Sequence, residues 1–256
     1  MKFSANLGFL WPDHPLPDRV RAAHAAGFDA VECHWPYDTP VAELQAALAE
    51  TGLQMLGLNT RRGTPGENGL SALPGREAEA FAAIDEALTY AKATGTQAVH
   101  VMAGNSSGPR ARAAFVSALT YACDRAKGIT ILIEPLNPHN APGYYLNSTG
   151  LAADILREVA RPNVKLMFDC YHVQIIEGDV TRRLQNLLPL IGHIQIASVP
   201  DRGIPDHGEL DYAFVLARIA ELGWTSPIGA EYLPGADHDM TWLARHRQAL
   251  NQGNPT

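Results

Sequence analysis

The sequence is poor in cysteine and in long apolar runs, and each shortage excludes a class of protein. Its three cysteines, Cys33, Cys123 and Cys170, form no C-x-x-C pair, so neither a disulfide framework nor a zinc knuckle is expected. Such cysteine usage is typical of a reducing compartment, and we expect a cytoplasmic protein. Because no apolar run is long enough to span a bilayer and no signal-peptide pattern is present, no membrane association is expected.

Basic residues are also in short supply. Lys and Arg number 20 against 27 Asp and Glu, which gives a net charge of −7 without a basic cluster. Since clustered cations supply much of the affinity for a phosphate backbone, no nucleic-acid partner is expected. The stretch 63–69 lacks the spacing of a dinucleotide fingerprint and the lysine of a P-loop, and no G-x-S-x-G occurs. We therefore expect neither a nucleotide cofactor nor a serine nucleophile.

What is present is an ordinary globular composition in a regular alternation. Hydrophobic residues make up 46% and charged residues 18% of the 256-residue chain, as in many globular proteins. Short apolar runs alternate eight times with longer segments of helical periodicity, without hairpin turn signals. This pattern predicts an α/β fold, a single (β/α)8 TIM barrel formed by residues 1–256 as one domain. An open doubly wound sheet is the structural alternative.

The predicted strands and helices follow one another along the chain. Strands are expected at 3–9, 30–34, 54–59, 98–102, 130–134, 165–169, 193–197 and 228–231. Helices are expected at 17–26, 41–50, 76–93, 110–126, 149–159, 181–188, 212–222 and 240–250. Glycines that follow helical runs, where positive φ closes a helix, are Gly27, Gly52, Gly95 and Gly223. Candidate N-caps are Asp211 and Ser148 or Thr149.

Three long loops are expected at the carboxyl ends of predicted strands. They cover residues 61–75, 135–147 and 198–210, and the first is rich in glycine and proline. We expect loop 61–75 to be a surface loop or a lid over the strand ends. Long loops gathered on this face are typical of a mouth that encloses a substrate.

Four polar residues lie at the ends of apolar runs in the C-terminal half. Glu134, Asp169, Gln195 and Glu231 are separated by 35, 26 and 36 residues, close to one strand-plus-helix unit each. Because a parallel barrel brings its strand ends to one face, we expect these side chains to converge. Three carboxylates and an amide oxygen suit Mg²⁺ or Mn²⁺ better than zinc.

Three carboxylates so close together repel one another at neutral pH. Without a cation, at least one of them should bind a proton. The alternative for each carboxylate is an ion pair with an Arg or Lys of an adjacent strand. Within the set, Glu134 and Glu231 come from predicted strands five and eight, on either side of the mouth. Two carboxylates flanking a metal-bound hydroxy-carbonyl can share proton abstraction and return, which is the chemistry of an aldose–ketose isomerisation or an epimerisation next to a carbonyl.

Three further residues are candidate substrate-binding groups. His172 is expected in the loop that leaves the sixth strand, and His100 within the fourth strand, pointing into the barrel. Arg202, in loop 198–210, is placed to hold a substrate carboxylate by two parallel hydrogen bonds. With ten histidines in the chain, the alternative for either histidine is a structural role, and for Arg202 it is a surface ion pair with Asp201 or Asp206.

Four other residues near strand ends have two interpretations each. Glu32 and Asn6 are candidate site residues, or they satisfy hydrogen bonds inside the barrel. Trp11 and Trp35 follow the first two strands, where an aromatic ring either walls a pocket or packs in the core or an interface.

Taken together, motifs along nearly the whole chain resemble the hydroxypyruvate isomerase family, within the xylose-isomerase-like TIM barrel superfamily. The matching segments are 3–7, 27–32, 73–77, 132–137, 168–172, 192–197, 200–203, 208–212 and 229–232. The resemblance implies that Glu134 and Glu231 are the catalytic pair and that Glu134, Asp169, Gln195 and Glu231 hold a divalent metal. It also places His172 and Arg202 near the substrate.

The reaction implied by the resemblance is the interconversion of hydroxypyruvate and 2-hydroxy-3-oxopropanoate. Loop residues 64–69 are intermediate between this family and relatives that act on 2-oxo-tetronate, so a 2-oxo-tetronate isomerase or a ketose 3-epimerase is the alternative. The expected partner is a small hydroxy-oxo acid or sugar, and a homo-oligomer is left open. Two other classes compete: an endonuclease acting at abasic sites, which should carry more histidines and a basic surface, and a catalytically silent carbohydrate-binding barrel.

Overall fold

Nine short parallel strands form one sheet in a computed structural model that describes residues 1–235 and 240–252. The strands are β1 (Phe3–Asn6), β2 (Ala30–Glu32), β3 (Gln54–Met55), β4 (Gly57–Asn59), β5 (Ala98–His100), β6 (Thr130–Ile133), β7 (Val164–Asp169), β8 (Ile191–Ile196) and β9 (Ile228–Ala230). Their order in the sheet is β3-β2-β1-β9-β8-β7-β6-β5-β4. All are parallel, so their carboxyl ends meet on one face, where barrel enzymes place their active sites.

The predicted third strand is interrupted at Leu56, and the sheet comes round on itself at this interruption. β3 pairs with β2 and β4 pairs with β5. Across the break, the backbone N–H of Cys33 donates to the carbonyl of Gly57 at 3.0 Å, and that of Gln97 donates to Met55 at 3.1 Å. β3 and β4 are therefore each hydrogen-bonded on both sides, toward β2 and toward β5. The sheet forms a nearly closed barrel, which confirms the predicted fold rather than an open sheet.

Helices cover the outside of the barrel between the strands. They are α1 (Leu16–Ala25), α2 (Val41–Thr51), α3 (Glu77–Thr94), α4 (Gly108–Arg125), α5 (Thr149–Val159), α6 (Cys170–Ile176), α7 (Val180–Leu187), α8 (Tyr212–Glu221) and α9 (Thr241–Gln252), with a 3₁₀ turn at Leu188–Leu190. Each predicted helix is present to within two residues at either end. In α3 the buried residues Ala80, Ile84, Ala87 and Ala91 recur every three or four positions, so one apolar stripe packs inward. Within the described residues, no helix has both the length and the apolar character needed to cross a bilayer.

The predicted helix boundaries have the expected chemistry. α2 ends at Gly52, whose φ of 70° is a left-handed conformation that a side chain disfavours. Ser148 accepts a hydrogen bond from the N–H of Leu151 at 3.2 Å and caps α5. The carboxylate of Asp211 accepts from Ala213 at 3.0 Å and caps α8. The local sequence therefore sets these ends.

Helix α6 was not predicted, and it corrects the expected position of His172. This residue lies in the first turn of α6 rather than in a loop. Asp169, the last residue of β7, accepts a hydrogen bond from the N–H of Tyr171 at 2.8 Å and caps the helix. Since a single aspartate ends the strand and starts the helix, no loop residues separate them, and the turn left no signal in the sequence.

Most of the hydrophobic core lies between the sheet and the helices, while the barrel interior is smaller and more polar. Inside the barrel, Ala98, Leu132 and Met167 form a small apolar cluster. A cavity of about 270 Å³ lies beside it, and its lining includes His193 and Glu231. The barrel interior is therefore only partly filled by apolar side chains, and polar groups occupy the part near the carboxyl ends of the strands.

Candidate metal and active site

Side chains from three strand ends and one helix converge in the mouth of the barrel. Glu134, Asp169, His172 and Glu231 each offer one ligand atom, and these atoms lie within 4.8 Å of one another. All four residues are at least 94% buried. The structure thus brings together three of the four predicted metal ligands, with His172 beside them.

Gln195, the fourth predicted ligand, lies next to Asp169. The two residues are register partners on β8 and β7, so their side chains are on the same side of the sheet. The Nε2 atom of Gln195 donates to Oε1 of Glu32 at 2.7 Å. Its Oε1 is buried and has no hydrogen-bond partner among the described residues. The amide therefore presents a free oxygen inside the barrel.

Unpaired oxygens recur in this set, and they test whether a cation fits. Oε1 of Glu134 and Oδ2 of Asp169 are also buried without a hydrogen-bond partner in the described part of the chain. Leaving such atoms unpaired costs about 1–3 kcal/mol each, and more when the group is charged. Together with Gln195 they form an all-oxygen donor set of the kind that Mg²⁺ and Mn²⁺ prefer. These residues fit a hard divalent cation.

Glu231 differs because both of its oxygens have partners. Oε1 accepts from Asn6 Nδ2 at 3.1 Å and contacts His34 Nε2 at 2.9 Å. Oε2 accepts from Arg202 at 2.8 Å. A carboxylate has about four lone-pair sites, so one remains for a cation. These contacts fix the direction of the Glu231 side chain.

The carboxylates also differ in charge state. Burial, followed by the negative charge of Glu231, raises the pKa of Asp169 to about 8 and that of Glu134 well above its usual value. Burial by itself would raise the pKa of Glu231 too, but Arg202 and His34 outweigh it, and this pKa lies below its usual range. The expectation that at least one carboxylate binds a proton without a cation agrees with these directions.

The ring of His172 is held so that its Nε2–H group points toward the carboxylates of the site. Its Nδ1 accepts the backbone N–H of Asn137 at 3.0 Å, and burial lowers its pKa to about 3. A neutral ring that accepts at Nδ1 carries its proton on Nε2. This atom lies 3.7 Å from Oδ2 of Asp169 and 4.0 Å from Oε1 of Glu134. The Nε2–H group is therefore available as a hydrogen-bond donor beside these two carboxylates.

His100 lies on the opposite side of Glu134. It is the last residue of β5, and its Nδ1 is 3.7 Å from Oε2 of Glu134. Burial lowers its pKa to about 4, so the ring is neutral. Neither ring nitrogen has a hydrogen-bond partner among the described residues. The ring offers one donor and one acceptor beside the cluster.

Arg202 reaches into the mouth from loop 198–210. Its guanidinium lies 2.8 Å from Glu231 and 3.8 Å from Asp169. It also lies over the rings of Phe9 and Tyr171, at 4.8 and 5.0 Å from their centroids, which favours a cation. The backbone of Arg202 has a φ of 55°, a strained conformation that non-glycine residues rarely adopt. The loop therefore holds this guanidinium in the site at some conformational cost.

The alternative pairing of Arg202 with Asp201 or Asp206 is wrong. Both aspartates instead contact His207, each at 2.9 Å from one ring nitrogen, and Arg245 also binds Asp206. Three of these four residues belong to loop 198–210 and Arg245 belongs to α9, so the group links the loop to α9. Arg202 is thereby left free to point inward.

This aspartate–histidine group predicts a small pH dependence of stability. Hydrogen bonds to Asp206 and Asp201 raise the pKa of His207 above its ordinary value, and Arg245 and Ser198 are the other polar neighbours in the group. The stabilisation is therefore complete below about pH 6.5 and is lost as the pH rises through the folded-state pKa. We expect His207→Gln to lower the free energy of unfolding by at most about 1 kcal/mol at pH 5.5, since the pair is exposed. At pH 8.5 the difference from the unaltered protein should disappear in denaturant titrations, and an equal difference at both pH values would contradict it.

Several residues around the site were not predicted. His34 binds Glu231, Asn137 fixes the ring of His172, and His193 contacts Glu32 at 2.7 Å. The sequence gives a weak indication of His193, because this residue precedes Gln195 by two positions and therefore lies on the same face of the strand. For the others, the contact depends on loops whose course the sequence does not indicate.

The two tryptophans have different surroundings. Trp11 packs edge-on against Phe28 beside the core, with ring centroids 6.3 Å apart. Trp35 is 37% exposed, donates its indole N–H to the carbonyl of Thr60 at 3.1 Å and lies under the guanidinium of Arg62. Trp35 is thus the one of the pair on the surface near the strand ends.

The sequence of this chain is similar to those of known proteins. A sequence model of the family described as "Xylose isomerase-like TIM barrel" matches residues 20–246. A 2-oxo-tetronate isomerase of Cupriavidus necator is 43% identical over 252 residues, covering 94% of this chain and 97% of the relative. A Danio rerio protein named "Putative hydroxypyruvate isomerase" is 40% identical over 270 residues, covering 99% and 98%.

A solved structure has nearly the same fold. The crystal structure of a protein from Brucella melitensis, named as an AP endonuclease of family 2, superposes with a TM-score of 0.92 and 36% sequence identity. The match covers 95% of this chain and 98% of the other. The similarity therefore extends over nearly the whole chain.

Proposed function

This chain belongs to the xylose isomerase-like TIM barrel family, and on that premise we propose that it is a metal-dependent isomerase of a small 2-oxo-3-hydroxy acid. The family that the motifs predicted is confirmed, and relatives about 40% identical are named as isomerases. Interconversion of hydroxypyruvate and 2-hydroxy-3-oxopropanoate is the proposed reaction. The three cysteines are buried and form no disulfide. This supports a reducing compartment, and we propose a cytoplasmic location.

One observation carries the metal dependence. Three oxygen atoms of Glu134, Asp169 and Gln195 are buried without partners in the described residues, on three strands that end at one face. We propose that these residues and Glu231 hold Mg²⁺ or Mn²⁺. When bound, the cation supplies stabilisation of the negative charge that develops on the substrate oxygens.

The two glutamates can perform the proton transfers. One carboxylate removes a proton from C3 of hydroxypyruvate. The electron pair of that C–H bond forms the C2=C3 double bond of an enediolate, and the π pair of the C2 carbonyl moves onto the C2 oxygen. A proton returns to C2, and the hydroxyl proton passes from the C3 oxygen to the C2 oxygen. Glu134 and Glu231 come from the ends of β6 and β9, on different sides of the centre, which suits removal at one carbon and return at its neighbour.

His172, His100 and Arg202 are the proposed substrate-binding groups. The Nε2–H of His172 is free to donate to a substrate oxygen, and His100 offers a neutral ring beside Glu134. Nε of Arg202 is buried and without a hydrogen-bond partner in the described residues, so this N–H is available to a substrate carboxylate. Its contacts with the rings of Phe9 and Tyr171 stabilise the position of the guanidinium.

Hydrogen exchange tests the reaction directly. Incubation with hydroxypyruvate and Mn²⁺ in deuterium oxide should place deuterium at C3 of the substrate and C2 of the product, because both carbons are protonated from the enediolate. NMR or mass spectrometry measures the uptake, and metal-free protein corrects for spontaneous enolisation. No exchange with hydroxypyruvate, a 2-oxo-tetronate or a ketose would defeat the enolisation proposal.

The same experiment separates the alternatives. Faster exchange with a 2-oxo-tetronate would favour the activity named for the Cupriavidus relative, and exchange at C3 of a ketose would favour a 3-epimerase. The endonuclease name of the Brucella protein raises a nuclease as a second candidate. The net charge of −7 opposes binding to DNA, and cleavage of an abasic-site duplex without any proton exchange would be needed to support it.

A further inference from the structure

Glu32 is the centre of a buried hydrogen-bond network directly beside the proposed metal ligands. Its Oε1 accepts from Gln195 at 2.7 Å and from Asn6 at 3.1 Å. Its Oε2 accepts from Ser4 at 2.9 Å and contacts Nε2 of His193 at 2.7 Å. All four lone-pair sites of the carboxylate are engaged, and the residue is only 4% exposed. Glu32 therefore has no free site for a cation of its own.

The contact with Gln195 spans a large part of the barrel. Glu32 is on β2 and Gln195 on β8, with β1 and β9 between them in the sheet. Gly229 of β9 is the register partner of Gln195. A Cβ atom at this glycine would lie 2.7 Å from Oε1 of Glu32 and 2.8 Å from Cγ of Gln195. The absence of a side chain at Gly229 leaves the space through which the two side chains meet.

This contact determines which end of the amide faces which way. The two ends of a glutamine amide are almost equal in size, but one donates and the other accepts hydrogen bonds. A carboxylate that accepts from four partners takes the N–H end of Gln195. The oxygen end must then point elsewhere, and Oε1 is the atom that has no hydrogen-bond partner in the described residues. An amide rotated by half a turn would offer a cation two N–H groups, which cannot bind it.

Resting on the proposed metal-dependent function, we propose that Glu32 is a positioning residue for the metal centre. It holds the amide of Gln195 with its oxygen toward the cation. Through Asn6, which donates to both Glu32 and Glu231 at 3.1 Å, it also fixes the side chain of Glu231. One buried carboxylate thus orients two of the four proposed ligands.

Mn²⁺ affinity, measured without substrate, tests this role. In Glu32→Gln the new amide can donate as well as accept, so Gln195 is no longer held in one orientation. We expect the dissociation constant for Mn²⁺, from electron paramagnetic resonance of the free ion, to rise about 10–100-fold, as for other residues that orient metal ligands. The matched control is Asp85→Asn, which removes the same charge from a half-buried carboxylate bound to Arg125 on the outer helices. Its Mn²⁺ affinity should be unchanged.

A double-mutant cycle shows whether Glu32 acts through Gln195. In a Gln195→Ala background, Glu32→Gln should change Mn²⁺ affinity less than in the unaltered protein, because the amide it orients is gone and only its link to Glu231 through Asn6 remains. Glu32→Asp provides a second variant that keeps the charge beside His193 but is one methylene shorter, so it should also weaken Mn²⁺ binding, and circular dichroism of the metal-free variant verifies that it is folded.

The outcomes separate this role from the proposed function. Unchanged Mn²⁺ affinity in both Glu32 variants, or effects of Glu32→Gln and Gln195→Ala that simply multiply, would overturn the positioning role while leaving the metal centre intact. If the unaltered protein binds no Mn²⁺, the metal centre itself is wrong and the role of Glu32 falls with it.

Discussion

Glu134→Gln and Glu231→Gln are each expected to lower kcat by about 10²-fold or more. A positioned acid–base group contributes about 10²–10⁴-fold to proton transfer, and an amide of the same size cannot accept a proton from carbon. Both glutamates are within reach of the same centre, since their ligand atoms lie within 4.8 Å of those of Asp169 and His172. Steady-state rates at saturating substrate and saturating Mn²⁺ measure the loss without confusing it with weaker metal binding.

The control for these variants is Glu43→Gln. Glu43 is exposed on the outer helix α2, so this variant removes one negative charge and should keep the full rate. Circular dichroism of all three variants verifies the fold. Near-normal rates for both site variants would remove the two carboxylates from the mechanism. A large loss in only one of them would show that a single glutamate transfers the proton in both directions.

Removal of divalent metal is expected to lower turnover by at least about 10³-fold. Stabilisation of developing charge by a cation is worth several kcal/mol, and each 1.4 kcal/mol is a factor of ten in rate. Without a cation, burial and Glu231 keep the pKa values of Glu134 and Asp169 raised, so these two carboxylates bind protons more readily than exposed carboxylates do. Dialysis against a chelator, followed by assays with added Mg²⁺ or Mn²⁺, measures both the loss and its recovery.

Chelator already saturated with Mn²⁺ is the matched control, because it contains the same molecule but removes no metal. It should leave the rate unchanged. Asp169→Asn should recover much less activity than the unaltered protein at the same Mn²⁺ concentration, since it replaces a proposed ligand with a neutral amide. Full turnover after exhaustive chelation would contradict the proposed metal centre.

Much of the architecture could be predicted because local chemistry determines it. The alternation of apolar runs with helical periodicity placed every helix except α6, and Gly52, Ser148 and Asp211 marked helix ends through their own backbone and side-chain preferences. Helix α6 could not be foreseen, because Asp169 serves both as strand end and as N-cap. The interruption at Leu56 depends on how the ring of strands closes, which is a property of the whole sheet.

The surroundings of Arg202 show the limit of reasoning from neighbours in the sequence. Asp201 and Asp206 are close along the chain and were reasonable partners, yet His207 takes both. The guanidinium turns instead toward Glu231, 29 residues away in sequence. Its strained backbone and the two rings around it belong to the folded mouth and have no counterpart in the local sequence.

The sequence by itself determined which oxygen donors reach the mouth. Each strand-plus-helix unit returns the chain to the same face, so residue type and spacing were enough to single out Glu134, Asp169, Gln195 and Glu231. Only the tertiary structure decided how these donors are oriented. Glu32 meets Gln195 across 163 residues and His34 meets Glu231 across 197. Such contacts form only when the strands close into a barrel, and the contact between Glu32 and Gln195 also needs the space that Gly229 leaves inside it. A local sequence pattern does not contain this information.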